Sequence, residues 1–564
     1  MKYLYPIALR FHEKNIRSLM QKTSRDPKNP YYGKPCMESG IHEPGSSLGH
    51  IYNSVSLYLL PESSFYKSPN LLDFIRLLCI GAKDGIHEDG TNDLIVSNYH
   101  QADFFAAPSA CMAYKNMNAI PDKTAEEAEV TEMIYALAER ICKGLLASGF
   151  HTPNHRWVHT AALYHAYHTL REKDERYLTL AKKYLAEKID IDENGEFSER
   201  SAGMYSAISD RALCDIAKFG NMPELFEHVK KNLLLVHRFI EKESLIFTQN
   251  SRRKDKGEVG SDTLFDFDRY SDICLTAYAN THDLTFLQIL QSALDKRSDL
   301  YSIYSPIRPF VDYPELRTLE ADFSALPPLE EDFHVFYPKS NIVRVKENGI
   351  VYSLLARNPN FLHVTVGNIS ISARMCSSFF AKAQFLPDEI EQIGEKAYRM
   401  SFHTCADYKL PFDVPPAGSE DYWSMDYKSR QSISRCDYGY TVDFTFTENG
   451  LQFHILTHGM ENVPFKLEIA VTPGVHVRAG SAMTIGNAGN FLCASEGDIE
   501  LSNFEGDLMT IKGAFAKHFY HKDMRGSIPS PSGKYLLYFT DFSPVDRTLE
   551  IICKRNEPWN YFTK

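Results

Sequence analysis

Ile342-Val343-Arg344-Val345-Lys346-Glu347-Asn348-Gly349-Ile350-Val351-Tyr352-Ser353-Leu354-Leu355 is where the chain changes its hydrophobic rhythm. Two runs rich in β-branched residues flank Asn348-Gly349, a dipeptide suited to a tight hairpin turn. From about residue 336 onward the pattern persists, with alternating segments at 361–374, 439–447, 451–457, 464–471, 509–515 and 534–541. Glu448-Asn449-Gly450 marks a second hairpin between two of them. The expectation is an antiparallel β-sandwich over residues 336–564.

Upstream, the first 300 residues read as helix after helix. Residues 124–148 show why. Thr124 can cap, Glu126, Glu127 and Glu129 suit the positive end of the helix dipole, and Met133, Ile134, Leu137, Ile141 and Leu145 form an apolar stripe. Gly149 is the stop signal. Further helices are expected near 47–60, 68–83, 98–116, 155–171, 175–187, 203–219, 223–241, 264–280 and 283–297. Short loops between them point to a helical toroid or solenoid, and the lack of a sequence repeat favours a closed or partly closed toroid. Pro306, Pro309, Pro314, Pro327 and Pro328, with acidic residues between them, make 301–335 a linker or an ordered crossover.

At 564 residues the chain is too long for one core, which agrees with this division. Its 32 Tyr and 35 Phe would suit surfaces on which sugar rings stack, but large aromatic cores are the favoured reading. A formal net charge of −12 excludes the basic face of a nucleic-acid-binding protein. It also repels polyanions, so an acidic glycan would need a local basic patch, and a carboxylate-only glycan suits better than a heavily sulfated one. The 11 cysteines are odd in number, scattered, and without CxxC spacing, as expected of reduced thiols in a cytoplasmic protein. The apolar stretch after Met1 is too short for a signal-peptide core, and no 18-residue apolar run exists for a membrane span. A periplasmic or secreted location would require a signal preceding this numbering.

Two segments carry candidate chemistry. Pro153-Asn154-His155-Arg156-Trp157 lies at an expected helix start, where side chains and unpaired N–H groups face a cavity. Glu199-Arg200-Ser201-Ala202-Gly203-Met204-Tyr205 leads into another helix. An amide, an imidazole and a phenol on neighbouring helices are the groups needed to take a proton from carbon beside a carboxylate, so the expected chemistry is that of a lyase on an acidic sugar. A neutral amide donor holds the carboxylate and spreads the charge that develops. An unperturbed phenol titrates near pH 10, so acting as phenolate at pH 7 needs about 4 kcal/mol of help. Arg200, Arg211 and the run Arg252-Arg253-Lys254 with Lys256 are the cations available. Arg156, Trp157, Arg200, Arg252, Arg253 and Tyr270 are the expected substrate contacts.

On these residues and this domain order the chain resembles the heparinase II/III-like polysaccharide lyases, which include oligoalginate lyases. The resemblance implies an α+β multidomain fold, an N-terminal incomplete (α/α) toroid followed by a C-terminal antiparallel β-sandwich. It implies β-elimination that leaves unsaturated uronate ends. Asn154, alone or with His155, would neutralise the uronate carboxylate, and Tyr205 would act as base, acid or both. The family also supplies a His from an early sandwich strand, for which His363 in Asn360-Phe361-Leu362-His363-Val364-Thr365 is the best-placed match and His403 the reserve. His155 or His363 would be the opposite base or would hold Tyr205 deprotonated. The family's His-x-His stretch with a following Asp is absent here, and with it the signal for the structural metal of some members. No cofactor or metal is therefore expected. The expected partner is an acidic oligo- or polysaccharide, not nucleic acid or a membrane.

Other motifs point elsewhere. Asp190-Ile191-Asp192-Glu193-Asn194-Gly195 resembles the opening of a calcium loop, but position twelve is Ser201, which makes it a tight acidic turn. His454 and His458 have no metal-site spacing on a strand. Two rival functions remain. A glycoside hydrolase on the same scaffold would draw a carboxylate pair from Asp103, Glu199, Asp210 and Asp268. A non-catalytic glycan-binding protein would need none of these groups.

Overall fold

The computed structural model describes residues 3–36, 38–94, 99–241, 245–257, 263–296, 306–415, 420–448 and 450–555. Two compact units emerge: Met1–Lys256 with Thr263–Leu329 form the first, and Glu330–Lys564 make up the body of the second. Residues 306–329, expected in a linker, belong to the first unit.

The first unit is built from helices α1 (Leu4–Lys22), α2 (Pro44–Leu59), α3 (Pro69–Lys83), α4 (Ala107–Asn118), α5 (Ala125–Leu145) and α6 (Pro153–Thr169). It continues with α7 (Glu175–Ala186), α8 (Tyr205–Gly220), α9 (Leu225–Phe239), α10 (Phe267–Thr281), α11 (Thr285–Asp295) and the short α12 (Arg308–Asp312). From α2 onward, each even-numbered helix packs on the next even-numbered one to form an inner ring. Each of α2 to α10 also pairs with the odd-numbered helix that follows it, which forms the outer layer. This is the toroid expected from the sequence.

Local chemistry explains the helix ends. Thr124 accepts from the Glu127 N–H (3.1 Å) while Glu127 accepts from the Thr124 N–H (3.0 Å), a capping box. Glu127 also takes Tyr58 Oη (2.8 Å) and Lys67 Nζ (2.6 Å), so a cap on α5 ties it to the α2–α3 corner. The α5 stripe is buried at Ile134, Leu137, Ile141 and Leu145, whereas Met133 is half-exposed. One expected helix is shorter than its pattern: Tyr99–Gln101 pairs as a strand with Asn92–Leu94, and α4 begins only at Ala107.

The second unit is a sandwich of two sheets. One runs in the order Phe491–Cys493, Tyr535–Phe542, Pro464–Val471, Ile369–Ser377, Leu362–Val366, Ile350–Leu355, Ile342–Glu347, Phe333–Tyr337. The other is centred on Ala397–Lys409, Ser432–Thr447, Gly450–Gly459 and Asp546–Lys554. Phe465, Leu467, Ile469 and Val471 alternate into the shared core with Tyr440, Val442 and Phe444 of the facing sheet. Among the described residues the strands of these two sheets pair antiparallel except Phe491–Cys493, which runs parallel to Leu536–Tyr538, and Ala516 adds an isolated parallel bridge to Thr540. The segment 361–374, expected as one strand, is two. Gly367 turns the chain with φ +52, and a Cβ there would lie 1.7 Å from Asp507 Oδ2. The hairpin expected at 448–450 closes through Thr447 opposite Gly450, while Asn449 lies outside the described residues.

Candidate active site

Helix α6 begins in an unusual way. Pro153 occupies its first turn, where its missing N–H is no loss. Thr152 sits at the cap position, yet its hydroxyl donates to Asn154 Oδ1 (2.9 Å) instead of accepting from the helix. That bond fixes the Asn154 amide. Asn154 is 1% exposed, and its Nδ2 meets no protein acceptor. The Asn154 backbone N–H favours the charged form of the Glu199 carboxyl, which belongs to a distant segment.

That segment, between α7 and α8, is held at several points. The acidic turn is self-contained: Asp192 accepts from the N–H groups of Asn194 and Glu196, both at 2.9 Å. Gly195, at φ +86, packs so closely on Lys231 that a Cβ would meet its carbonyl oxygen at 2.4 Å. Helix α8 has no cap at Met204, and Ser201 supplies one by accepting the Tyr205 N–H (2.9 Å). Ser201 in turn donates to Asp255 Oδ2 (2.7 Å), and Ser251 donates to Oδ1 (2.6 Å). Asp255 thereby clamps the basic run onto the loop that starts α8.

The outcome is a connected cluster. Arg253 Nη1 lies 3.0 Å from Glu199 Oε1, and its guanidinium stands 4.2 Å from the centre of the Tyr205 ring. His155 packs edge-on against Phe105 (5.1 Å) and His151 (4.7 Å). Burial, with His151 and Arg253 adding, pushes His155 down to about 4, so the imidazole is neutral at neutral pH. Its Nδ1 has no protein partner. Burial pushes the Glu199 carboxyl up to about 7 against the pull of Arg253, with Asp190 and Asp255 reinforcing the rise.

A cavity of about 250 Å³ adjoins this cluster inside the helical ring, with Phe105 common to both. Arg211 lines it, bound to Asp272 (2.7 Å) and Asp215 (3.3 Å), and Arg308 lies 2.6 Å from Asp215. Arg211 is therefore tied into the cavity wall.

Of the expected site residues, Arg253 stands over the Tyr205 ring and acts on His155, and Asn154 starts the helix that carries His155. Other expected contacts serve the scaffold. Trp157 is fully buried, its Nε1 donating to Asp190 (2.7 Å), which leaves no face for a ligand. Arg156 reaches Glu187 (2.9 Å) and Asp190 (3.1 Å) and stacks over Trp157. Tyr270 is buried and donates to the Ala202 carbonyl (3.1 Å), bracing the loop before Tyr205. Arg200 sits at φ 53 with its Nε 4.0 Å from Glu196, and Arg252 is exposed, its N–H on the Glu199 carbonyl (3.1 Å). Asp190→Ala removes the acceptor shared by Trp157, Arg156 and the Ser198 hydroxyl. It should cost about 1–3 kcal/mol, read as a lower midpoint of thermal unfolding.

His363 belongs to the second unit. Its neighbours Leu362 and Val364 face the sandwich core, so His363 points to the opposite face, buried in a polar row with Ser353, Ser372 and Arg344. His403 is more than half exposed and lies 3.3 Å from Asp437. Of the carboxylates considered for hydrolysis, Asp103 accepts the Phe105 and Ala106 N–H groups, both at 3.0 Å. Asp210 is fully buried and held well above the usual carboxylate range by desolvation. Among the described residues, no three His, Cys, Asp or Glu side chains are grouped to hold a metal ion. All eleven cysteines are unpaired, and no helix among the described residues is long and apolar enough to cross a membrane.

Glu199 is the residue that sequence reasoning undervalued. It was visible only as a possible hydrolase acid, although an acid just ahead of a helix start, with a basic run elsewhere in the chain, was the available signal.

No family model matches the chain, and no curated protein matches its sequence. Solved structures do match its fold. A xanthan lyase of Paenibacillus is similar over 99% of this chain with a TM-score of 0.60 at 8% identity. This chain spans 57% of that enzyme's length. A chondroitin AC lyase of Streptomyces coelicolor is similar over 98% of this chain and 80% of its own, with a TM-score of 0.53 at 9% identity. A heparan sulfate lyase of Pedobacter heparinus is similar over 97% and 83%, with a TM-score of 0.53 at 8% identity. The chain has the fold of these polysaccharide lyases, a helical toroid followed by antiparallel sheets.

Proposed function

We propose that this protein cleaves uronic-acid-containing glycans by β-elimination. The observation that carries the reading is Asn154 Nδ2, a buried amide donor with no protein acceptor, fixed by Thr152 at the start of the helix that carries His155. A buried donor without an acceptor is costly unless a ligand fills the place, and a sugar carboxylate does so. Asn154 then neutralises that carboxylate as charge builds on it, and Arg253 adds a cation nearby. Tyr205 takes the C5 proton, delivers a proton to the departing O4, or does both. The C5–H and C4–O bonds break and a C4=C5 double bond forms, with no water consumed. His155, neutral at working pH, is available to accept or relay a proton. The similar structures act on xanthan, chondroitin and heparan sulfate by their names. The net charge of −12 favours a substrate with carboxylates over one dense in sulfate.

The test is a screen of glucuronate, mannuronate, guluronate and iduronate glycans, followed by near-ultraviolet absorbance. The new double bond, conjugated with the carboxylate, should appear with at least one of them. New reducing ends without absorbance would identify a hydrolase instead. No cleavage of any would leave the non-catalytic alternative.

A further inference from the structure

We propose that the Glu199 carboxylate is an internal stand-in for the substrate's carboxylate, holding Arg253 until a uronate displaces it. The proposal rests on the uronate reading above. Two observations carry it. Glu199 pairs with Arg253 at 3.0 Å and feels the pull of the Asn154 backbone N–H, so one carboxylate already occupies the cation assigned to carboxylate recognition. The side chain is only 5% exposed, buried on a segment clamped by Ser201 and Asp255. A buried carboxylate paired with a guanidinium near a helix start is the arrangement a uronate itself would seek.

An arriving uronate therefore places a second negative charge against one guanidinium. Like charges in a buried site do not both stay ionised at neutral pH. Glu199, already near 7 when the site is empty, is the group that takes up a proton. The balance is one uronate anion and one proton bound, with Glu199 leaving Arg253 as a neutral carboxylic acid. Arg253 and Asp255 face Glu199 from the clamped segment, and Asp190 faces it from beyond α7, itself held by Arg156. His155, from α6, lies near Arg253 and titrates near 4, well below the range that matters.

The sign follows. Below about pH 7 Glu199 carries its proton before the ligand arrives, and affinity is at its highest. Above that, each unit of pH weakens binding by up to about tenfold, until the raised value in the complex is passed.

Calorimetric titration of the full chain with the four uronate monosaccharides, which have no bond to cleave, tests this. Repeated in buffers of different ionisation enthalpy between pH 6 and 9, it should show proton uptake approaching one per site near pH 8. In Glu199→Gln the uptake and the pH dependence should both vanish. Uronate binding to the native protein without proton uptake would overturn the stand-in role while leaving the uronate site intact. Unchanged uptake in Glu199→Gln would overturn it too. If no uronate binds at any pH, the uronate reading falls and takes the stand-in with it.

Discussion

Tyr205→Phe should abolish turnover, lowering kcat by about 10³-fold or more, while uronate affinity stays within a few-fold of the native protein. The change removes one oxygen and keeps the ring. That ring is 8% exposed and lies under the Arg253 guanidinium at 4.2 Å, so the packing that orders Arg253 and Glu199 survives. Folding should be equally tolerant, because Tyr205 is anchored through its backbone N–H on Ser201, which the substitution does not touch. Loss of kcat with intact binding is what removal of a proton-transfer group does. Absorbance progress curves and the calorimetric titration described above, run side by side, check it. A fully active Tyr205→Phe protein would remove this phenol from the chemistry. A carboxylate-pair hydrolase would be indifferent to the change.

Asn154→Ala should lower kcat/KM by about 10²–10³-fold, the usual consequence of losing a donor aimed at developing negative charge. The structure adds that stability should hardly change. Among the described residues Asn154 Nδ2 has no protein acceptor to lose, and the side-chain bond broken is the one from Thr152 to Oδ1. The Asn154 backbone N–H, which favours the charged form of Glu199, remains. A cost below about 1 kcal/mol in unfolding, alongside a large loss in turnover, would mark Asn154 as a ligand-binding group. A large drop in unfolding stability with little change in kcat/KM would mark it as part of the core. Parallel kinetics and thermal unfolding on one preparation distinguish the two.

The division of the chain was plain in its sequence because hydrophobic period is a local property. Val343 and Val345 alternate toward the core whatever lies beyond them, and Ile134, Leu137, Ile141 and Leu145 repeat at helical spacing within a single helix. Caps are equally local: Thr124 and Glu127 satisfy each other across three residues. Reading fails where a short-range signal is ambiguous. Over 361–374 the apolar positions shift phase at Gly367-Asn368, a two-residue hairpin turn closed by Val366 opposite Ile369, which a reading of the run as one strand passes over.

The chemistry divides along the same line. Asn154, His155 and Tyr205 could be singled out from their types and from their places at helix starts. Trp157 and Arg156 looked just as promising, since an aromatic beside a cation reads the same on a surface and in a core. The sequence by itself determined the two-part architecture and a short roster of polar residues at helix N-termini. Only the tertiary structure decided which of them work together. Asp255 pulls the basic run onto the α8 loop through Ser201, which lays Arg253 over Tyr205 and against Glu199. Asp190 draws Trp157 and Arg156 away into the scaffold. The physical reason is that a buried charge settles on whichever partner the fold brings within about 3 Å. Spacing along the chain does not encode that partner.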